Sequence, residues 1–331
     1  MGGQIQIALE TSQKPSILSK TIAIAKKHNI TKLQIHAECE YIRNVPVEKR
    51  VENFARQAKT QFSTLCIHMP LWPSKNQNFS SPFDLLNPKT SSTSFWMITD
   101  CIQEGILIGQ RLNLNEVLIN IHVLGLIDKA KISLASKFDS LRRQSAVLEA
   151  LQNLVEACCG VSQFKNDGKP LLKIILENNA PFNIDNSQSL VNLHPEEFAG
   201  IGEVKVNFNF VHYREYLNYV RFGHGENPAA DVDRLIYKVP SWSLAFERCH
   251  NTATGVQLCP LKNAVSDFEP ITPNRNEMHM ENLIPELCEH LSKNVFGVLK
   301  IKNGTSNPQL QIKALNSIKK MLGENSSLFY T

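Results

Sequence analysis

The run Leu118-Ile119-Asn120-Ile121-His122 is apolar apart from one asparagine, and it ends in a residue that can bind a metal ion. Four other runs also begin with apolar residues and end in a potential metal ligand: Leu65-Cys66-Ile67-His68, Ile174-Ile175-Leu176-Glu177, Phe208-Asn209-Phe210-Val211-His212 and Leu244-Ala245-Phe246-Glu247-Arg248-Cys249-His250. Enough chain for a helix separates each run from the next. The pattern predicts parallel strands that deliver ligands to one rim of a barrel, and in TIM barrels the rim at the strand C-termini carries the chemistry.

Eight strand-like runs alternate with segments of helical periodicity. The predicted strands are Gln4–Leu9, Lys32–Ala37, Thr64–Met69, Glu116–Val123, Leu171–Glu177, Val204–Phe210, Ser243–Cys249 and Phe296–Ile301. The predicted helices are Pro15–His28, Glu48–Thr60, Thr93–Leu112, Ser140–Cys159, Asp231–Lys238, Glu281–Leu291 and Pro308–Met321. Alternating strands and helices form a parallel sheet with right-handed crossovers, and no GxGxxG or GxxxxGK[ST] motif indicates an open nucleotide-binding sheet. We therefore predict an α/β fold, a (β/α)8 TIM barrel.

We expect residues 1–331 to form a single domain with long loops after the strands. The long connections are Leu71–Ser92, Gly223–Pro240 and Asn251–Asn276. Long loops after barrel strands build the pocket and its lid. In the first of these loops, Trp72 and Phe79 have two interpretations: they wedge a duplex or close over a sugar, or they pack on the end of the barrel.

Composition restricts the class of protein. A hydrophobic content of 42% is enough for a large core. The net charge of +4 comes from scattered basic residues, which permits an anionic substrate and does not favour nucleic acid. The eight cysteines include no CxxC pair, so neither a disulfide framework nor a zinc knuckle is indicated. Because no signal peptide or long apolar stretch is present, we expect a cytoplasmic protein without a membrane segment. The sequence makes no prediction of the oligomeric state.

His68, His122 and Glu177 are the first candidates for a metal site. Taken singly, a histidine at a strand end is more often a structural residue than a ligand. Together, these residues would end three neighbouring strands. A carboxylate at the mouth of an apolar barrel needs a partner, and a divalent ion supplies one. Two imidazoles and a carboxylate are a zinc-type ligand set with an open position.

A second group of candidate ligands lies further along the chain. It comprises His212, His250, Glu277 and His279, with His36 and Glu38 as weaker candidates at the end of the second strand. The alternative for Glu277-Met278-His279 is a solvated loop pair, and the alternative for His212 is a cap on the segment that follows it.

These residues carry a resemblance to the xylose-isomerase-like barrels, a superfamily that includes trinuclear zinc apurinic/apyrimidinic endonucleases and many sugar isomerases and epimerases. The resemblance extends from about residue 4 to residue 322. The family's H-x-P on strand 3 resembles His68-Met69-Pro70, its strand-4 histidine resembles His122, and its L-E-N on strand 5 resembles Leu176-Glu177-Asn178. Its D-x-x-H on strand 6 appears as Asn209-Phe210-Val211-His212 and its strand-7 histidine resembles His250. The endonuclease D-x-H followed by E-N resembles Glu277-Met278-His279 followed by Glu281-Asn282.

Two positions depart from the family pattern. The strand-6 aspartate is Asn209, and the strand-8 glutamate aligns with Lys300 in Val298-Leu299-Lys300-Ile301. The resemblance implies one to three zinc or manganese ions: a first held by His68, His122 and Glu177, and a third held by His212, Glu277 and His279. The middle position would use Glu177, Asn209 and His250, and it lacks two of the family's four ligands. A lysine ammonium repels a cation, and an ion pair between Lys300 and Glu177 is an alternative to the metal.

The resemblance implies two kinds of function. One is a metal-dependent enzyme acting on a sugar or sugar-phosphate-like substrate, either as an isomerase or epimerase or as a phosphodiester hydrolase of the endonuclease type. Its catalytic residues would be Glu177 as ligand or base, His212, and Lys300 as an electrophile toward developing negative charge. The other is a non-catalytic or metal-free barrel that serves binding or regulation, because the site has lost two acids. We expect a small sugar-like or phosphate-containing substrate as the partner, ahead of nucleic acid.

Overall fold

The barrel is closed, and all eight of its strands are parallel. The computed structural model describes residues 3–58, 62–70, 91–122, 124–128, 133–160, 165–166, 169–178, 188–192, 205–210, 212, 253–258, 280–291, 293–299 and 304–330. The strands are β1 (Ile5–Ser12), β2 (Lys32–His36), β3 (Thr64–His68), β4 (Glu116–His122), β5 (Leu172–Glu177), β6 (Lys205–Asn209), β7 (Ala253–Leu258) and β8 (Val295–Leu299). β8 returns to pair with β1, with Ile5 opposite Val295 and Ala8 opposite Val298. The predicted (β/α)8 barrel is confirmed.

Seven α-helices are described around this sheet. They are α1 (Pro15–Lys27), α2 (Cys39–Asn44), α3 (Val47–Ala58), α4 (Ser91–Leu112), α5 (Leu134–Gly160), α6 (Met280–His290) and α7 (Pro308–Leu322). Helix α1 shows the usual residue preferences of helix ends, because Pro15 occupies its first turn and Lys26 and Lys27 occupy its last turn. No helix in the described part of the chain is long and apolar enough to cross a bilayer. The predicted helix 231–238 lies outside the described residues.

The seventh strand is not where the sequence predicts it. Ala253–Leu258 pairs with β6 on one side and with β8 on the other, so it fills the seventh position of the sheet. The prediction that Ser243–Cys249 is the seventh barrel strand is therefore wrong, as is the assignment of 251–276 to one continuous loop. It follows that β7 begins after His250, so the prediction that His250 ends this strand is also wrong. Residue 250 itself lies outside the described residues.

The barrel interior has an apolar layer below a polar one. Six buried side chains from five strands form the apolar layer: Ala8, Cys66, Leu118, Ile175, Phe296 and Val298. Side chains in a strand alternate between its two faces, so the residue two places further on also points inward. On β1, β3, β4 and β5 that next residue is polar, namely Glu10, His68, Asn120 and Glu177. A larger apolar core packs between the strands and the helices.

A buried ion-pair network lies outside the sheet, between α3 and α4. Arg50 is 2% exposed, and its Nε donates to Oε2 of Glu104 at 2.9 Å while another guanidinium nitrogen contacts Asp100. The guanidinium also donates to the carbonyl oxygen of Val45 at 2.6 Å. Burial raises the pKa of Glu104, and the charge of Arg50 opposes this shift. The network fixes the two helices against each other because every buried charge has a partner.

The C-terminal segment packs beside the start of β1. A 3-10 helix, Gly323–Leu328, leads into β9 (Phe329–Tyr330), which pairs with Ile5 and Gln6 of β1. Nε2 of Gln6 contacts the Tyr330 hydroxyl, and Nδ2 of Asn294 donates to the same hydroxyl at 3.0 Å. Two short antiparallel pairs lie outside the barrel sheet: Leu124–Asp128 with Gln188–Asn192, and Lys165–Asn166 with Lys169–Pro170.

Candidate functional site

Glu177 lies at the centre of the polar layer at the C-terminal rim. Its side chain is 0% exposed, and three asparagine amides donate to it. Oε1 accepts from Nδ2 of Asn209 at 2.7 Å. Oε2 accepts from Nδ2 of Asn207 at 3.0 Å and from Nδ2 of Asn120. Strand register explains this convergence, because Asn207 is paired directly with Glu177 on the neighbouring strand. The amides orient both carboxylate oxygens.

Three imidazoles face the same carboxylate. Nε2 of His68 lies 3.3 Å from Oε2 of Glu177, and Nε2 of His122 lies 3.8 Å from Oε1. Nε2 of His212, which follows β6, lies 4.0 Å from Oε1. The rings touch in sequence: the centroids of His68 and His122 are 4.9 Å apart, and those of His122 and His212 are 5.9 Å apart. The imidazoles therefore form a continuous row above Glu177.

His68, His122 and Glu177 fit a divalent metal ion. All three are buried, and their potential ligand atoms lie within 4.8 Å of one another. Four-coordinate zinc with bonds of 2.0–2.1 Å places neighbouring ligand atoms roughly 3.3 Å apart. The 3.3 and 3.8 Å separations from Glu177 to the two histidines therefore need only small adjustments. The described part of the chain brings together the first predicted ligand set.

Asn209 contacts the site through its amide nitrogen. Nδ2 donates to Glu177, while Oδ1 accepts from the backbone N–H of His212 at 3.1 Å. Rotating the amide by half a turn would break both hydrogen bonds, so the network assigns its orientation. The backbone of Asn209 is held as well, since its N–H donates to Oδ1 of Asn178 at 2.8 Å. Asn209 as a metal ligand stays a prediction, and it requires the carbonyl oxygen to turn inward.

The row of imidazoles continues to a second buried carboxylate, Glu10, which sequence reasoning missed. His36 stacks on His68 with ring centroids 4.5 Å apart, and its Nε2 contacts Oε1 of Glu10. Nε2 of Gln34 also donates to that oxygen, at 3.3 Å. The signal was present, because Glu10 ends the largely apolar run Ile5-Gln6-Ile7-Ala8-Leu9 in the same manner as the candidate ligands at the other strand ends.

The backbone at Glu10 is clamped by the last helix. Oε1 of Gln311 accepts from the Glu10 N–H at 2.7 Å, and Nε2 of Gln311 donates to the Glu10 carbonyl at 2.7 Å. Nε2 also donates to the carbonyl of Gly304 at 2.7 Å. Gln311 is 1% exposed, so no water replaces these bonds. The end of β1 therefore depends on a residue 301 positions away.

Glu38, the weaker candidate beyond β2, belongs to a polar cluster beside the rim. Oγ of Ser12 donates to its carboxylate, and Nζ of Lys14 lies 3.0 Å from its Oε2. The Glu38 N–H donates to Oε1 of Gln13 at 3.0 Å. Gln13 also donates to Glu104 at 3.3 Å, so it joins this cluster to the buried Arg50 network. Glu38 is thereby engaged in local contacts.

Several predicted site residues lie outside the described residues. They are His250, Glu277, His279 and Lys300, as well as Trp72 and Phe79 of the first long loop. Their roles remain predictions from sequence. Sequence reasoning did not single out Asn120 or Asn207. The available signal was their position two residues before His122 and Asn209, which places them on the same face of the strand.

Comparisons with known proteins agree at the level of the fold. No protein-family model matches this chain, and no curated protein matches it. Among solved structures, the chain is similar to a D-tagatose 3-epimerase-like protein, with 14% identity, TM-score 0.52, and coverage of 96% of this chain and 100% of that one. It is similar to the TTHB071 protein from Thermus thermophilus, from crystals soaked with ZnCl2, with 14% identity, TM-score 0.53 and coverage of 97% and 99%. A xylose isomerase domain protein from Alicyclobacillus acidocaldarius gives 10% identity, TM-score 0.50 and coverage of 96% and 99%.

These similarities cover whole barrels rather than a shared segment. Together with the closed parallel sheet and the polar rim, they confirm the fold that the strand-end motifs predict. This chain has the TIM-barrel fold of these solved structures.

Proposed function

We propose that this chain is a metal-dependent enzyme that acts on a small sugar-like substrate at the C-terminal rim of its barrel, as an isomerase or epimerase. The observation that carries the proposal is the buried ligand set of His68, His122 and Glu177. Each ligand projects from the end of a barrel strand, a rigid support that suits a catalytic metal. Descriptions of the similar structures as a D-tagatose 3-epimerase-like protein and a xylose isomerase domain protein support the sugar class.

A divalent ion bound by these residues would polarise neighbouring oxygen atoms of the substrate. Glu177 suits the role of ligand better than that of a base toward substrate, because its carboxylate is fully buried and is oriented by three amides. His68 and His122 have side chains that are only 7% exposed, so they too face inward.

Substrate would meet the two ends of the imidazole row. The side chains of His36 and His212 are 29% and 18% exposed, which makes them the accessible imidazoles of the site. Isomerisation and epimerisation move a proton at a carbon next to a carbonyl, and imidazole is a common group for that task. We assign this role to His212, which lies beside Glu177, and we assign hydroxyl binding to His36, which Glu10 holds in place.

Metal analysis of the purified full chain, prepared without chelator, tests the proposal. We expect at least one equivalent of zinc or manganese, and we expect His68→Ala and Glu177→Gln to lose it. His28→Ala is the matched control, because His28 caps α1 outside the barrel and should leave the metal content unchanged. The metal-loaded protein is then screened for isomerisation and epimerisation of ketoses, aldoses and their phosphates. A folded wild-type protein that binds neither ion, even after addition of excess metal, would contradict the proposal.

A metal-free barrel is the second candidate, and the Asn209 amide favours it. Where a cation would need another carboxylate, this chain supplies an N–H donor to Glu177 at 2.7 Å. Lys300→Glu separates the two functions. A gain of bound metal and of activity in this variant would identify a barrel that has lost a metal position. An unchanged content of one equivalent would favour the site of His68, His122 and Glu177, and an unchanged absence of metal would favour the metal-free barrel.

The phosphodiester hydrolase remains a prediction from sequence. It depends on His250, Glu277 and His279, which lie outside the described residues. Cleavage of abasic DNA with a steep dependence on salt would support it, because phosphate neutralisation releases counterions.

A further inference from the structure

The N-terminal mouth of the barrel, opposite the metal-ligand rim, carries a concentration of positive charge. Lys32, Glu116 and Lys205 are the first residues of β2, β4 and β6, and Lys173 is the second residue of β5. Lys293 lies two residues before β8. We refer to Lys32, Lys173, Lys205 and Lys293 as the lysine cluster.

Strand alternation directs Lys173, Glu116 and Lys205 toward the barrel axis, whereas Lys293 is exposed at the edge of the mouth. Lys173 precedes the interior residue Ile175 by two positions, and Glu116 precedes the interior residue Leu118 by two. Lys205 precedes Asn207, which contacts Glu177 inside the barrel, by the same spacing. Residues two apart on a strand share a face. Side chains that are separated along the sequence therefore converge at one mouth.

Glu116 is the one carboxylate in this group, and it pairs with one of the four lysines. Nζ of Lys173 lies 2.8 Å from Oε1 of Glu116. Nζ of Lys32 donates to Oγ1 of Thr64 at 3.0 Å, and Glu116 also acts on its charge. Lys205 and Lys293 form no ion pair with any residue in the described part of the chain. Four positive charges and one negative charge leave this group at +3.

The strand register places these residues near one another, since Lys205 is paired with Ile175, two residues beyond Lys173, and Lys32 and Glu116 are both paired with Thr64. Burial lowers the pKa of Lys293, and the charges of Lys205 and Lys173 lower it further. Burial also lowers the pKa of Lys32. Like charges held together at a partly desolvated mouth are destabilising unless an opposite charge compensates them. The side chain of Lys173 is 34% exposed, so a small ion has access to it.

We propose that the lysine cluster is a binding site for a small multivalent oxyanion of the phosphate type, separate from the metal site at the other end of the barrel. A phosphate would accept hydrogen bonds from the ammonium groups of Lys205 and Lys293 and relieve their repulsion. Glu116 limits the affinity, since it places one negative charge beside the anion.

Titration calorimetry of the full chain with inorganic phosphate tests this proposal, with sodium chloride at equal ionic strength as the reference. We expect Lys205→Gln and Lys293→Gln each to weaken phosphate binding at least tenfold. Lys20→Gln, on the exposed face of α1, is the matched control and should bind as the wild type does. Glu116→Gln should change the affinity in the opposite direction and tighten binding several-fold. This variant keeps the proposal testable if a lysine variant folds poorly.

A variant of the rim site, at the other end of the barrel, serves as a separate control. His122→Ala removes a metal ligand at the rim and should leave phosphate binding at the lysine cluster unchanged. Loss of phosphate binding in His122→Ala together with retention in Lys205→Gln would overturn the proposal, because the anion would then be bound at the rim. Phosphate that binds no better than chloride at equal ionic strength would also overturn it. Neither result bears on the metal content, so failure of this site is distinguishable from failure of the proposed enzyme function.

Discussion

Asn209→Asp changes a hydrogen-bond donor to Glu177 into a second carboxyl group without changing side-chain size. In the wild type, Nδ2 of Asn209 lies 2.7 Å from Oε1 of Glu177. Oδ1 accepts from the backbone N–H of His212, and an aspartate oxygen preserves that bond. Two carboxylates at this distance cannot both stay ionised, so without metal one of the two must bind a proton.

The free energy needed to keep one carboxyl group protonated sets the size of the expected destabilisation. Keeping a carboxyl group with an ordinary pKa of about 3.9 protonated at pH 7 costs roughly 1.4 kcal/mol for each of about three pH units, or about 4 kcal/mol in total. The pKa of the new carboxyl is raised in the folded state above its unfolded value. The penalty is therefore absent below about pH 4, grows as the pH rises and stops growing above the folded-state pKa. At pH 5.5 we expect about 2 kcal/mol.

Urea denaturation in the presence of a chelator, at pH 5.5 and at pH 7, measures this difference relative to wild type. Asn209→Ala is the control, because it removes the amide hydrogen bonds without adding a titratable group, and its cost should not vary with pH. Zinc or manganese should reduce the penalty of Asn209→Asp, since a cation compensates the second carboxylate. A penalty that is equal at both pH values would refute the reasoning, because the two side chains would then not be adjacent.

Three further substitutions test the fold around the site. Arg50→Ala should destabilise the protein by about 3–5 kcal/mol in urea denaturation, because it leaves the buried Glu104 carboxylate without its partner. Gly297→Ala should lower stability by about 1–3 kcal/mol, because a Cβ on this residue of β8 would overlap Cγ2 of Ile5 where the barrel closes. Gln311→Leu should cost about 2–4 kcal/mol, because it leaves buried backbone groups at the end of β1 unsatisfied, and it should also weaken substrate binding, measured as a raised KM.

For each of these substitutions, one result would contradict the expected loss of stability. Arg56→Ala, on the exposed part of α3, is the control for Arg50 and should cost under about 0.5 kcal/mol. Equal costs for the two arginines would mean that the buried network contributes nothing. A Gly297→Ala variant with wild-type stability would show that β1 and β8 are less closely packed than described. For Gln311→Leu, wild-type stability with an unchanged KM would show that Gln311 does not support the end of β1.

The barrel and the meeting of His68, His122 and Glu177 at its rim could be predicted from local patterns. Parallel strands end at the same edge, so apolar runs that close on His68, His122 and Glu177 must bring those side chains together once the strands pair. The pattern is robust because it depends on strand direction and on two-residue alternation, both of which are visible along the chain. The same rule applied to Glu10 would have included the second buried carboxylate.

Periodicity alone could not choose the seventh strand. Ser243–Cys249 and Ala253–Leu258 are both short runs of residues compatible with a strand, and only pairing with β6 and β8 distinguishes them. This distinction is a matter of long-range register, which short runs specify weakly. The wrong assignment of this strand also affected the prediction for His250, because that prediction placed His250 at the end of the strand.

The remaining features depend on contacts between residues far apart in sequence. The amides of Asn120, Asn207 and Asn209 reach one carboxylate because three strands lie side by side. Spacing along each strand gives the face on which an amide lies, but not the carboxylate that it meets. The lysine cluster arises in the same way, from lysines that appear scattered in the sequence but lie at or near the starts of strands that share one mouth. The side chains at the strand ends could be predicted because the two-residue alternation of a strand is visible over a few residues of sequence. Their partners across the barrel could not be predicted, because strand register and barrel closure are properties of the assembled sheet.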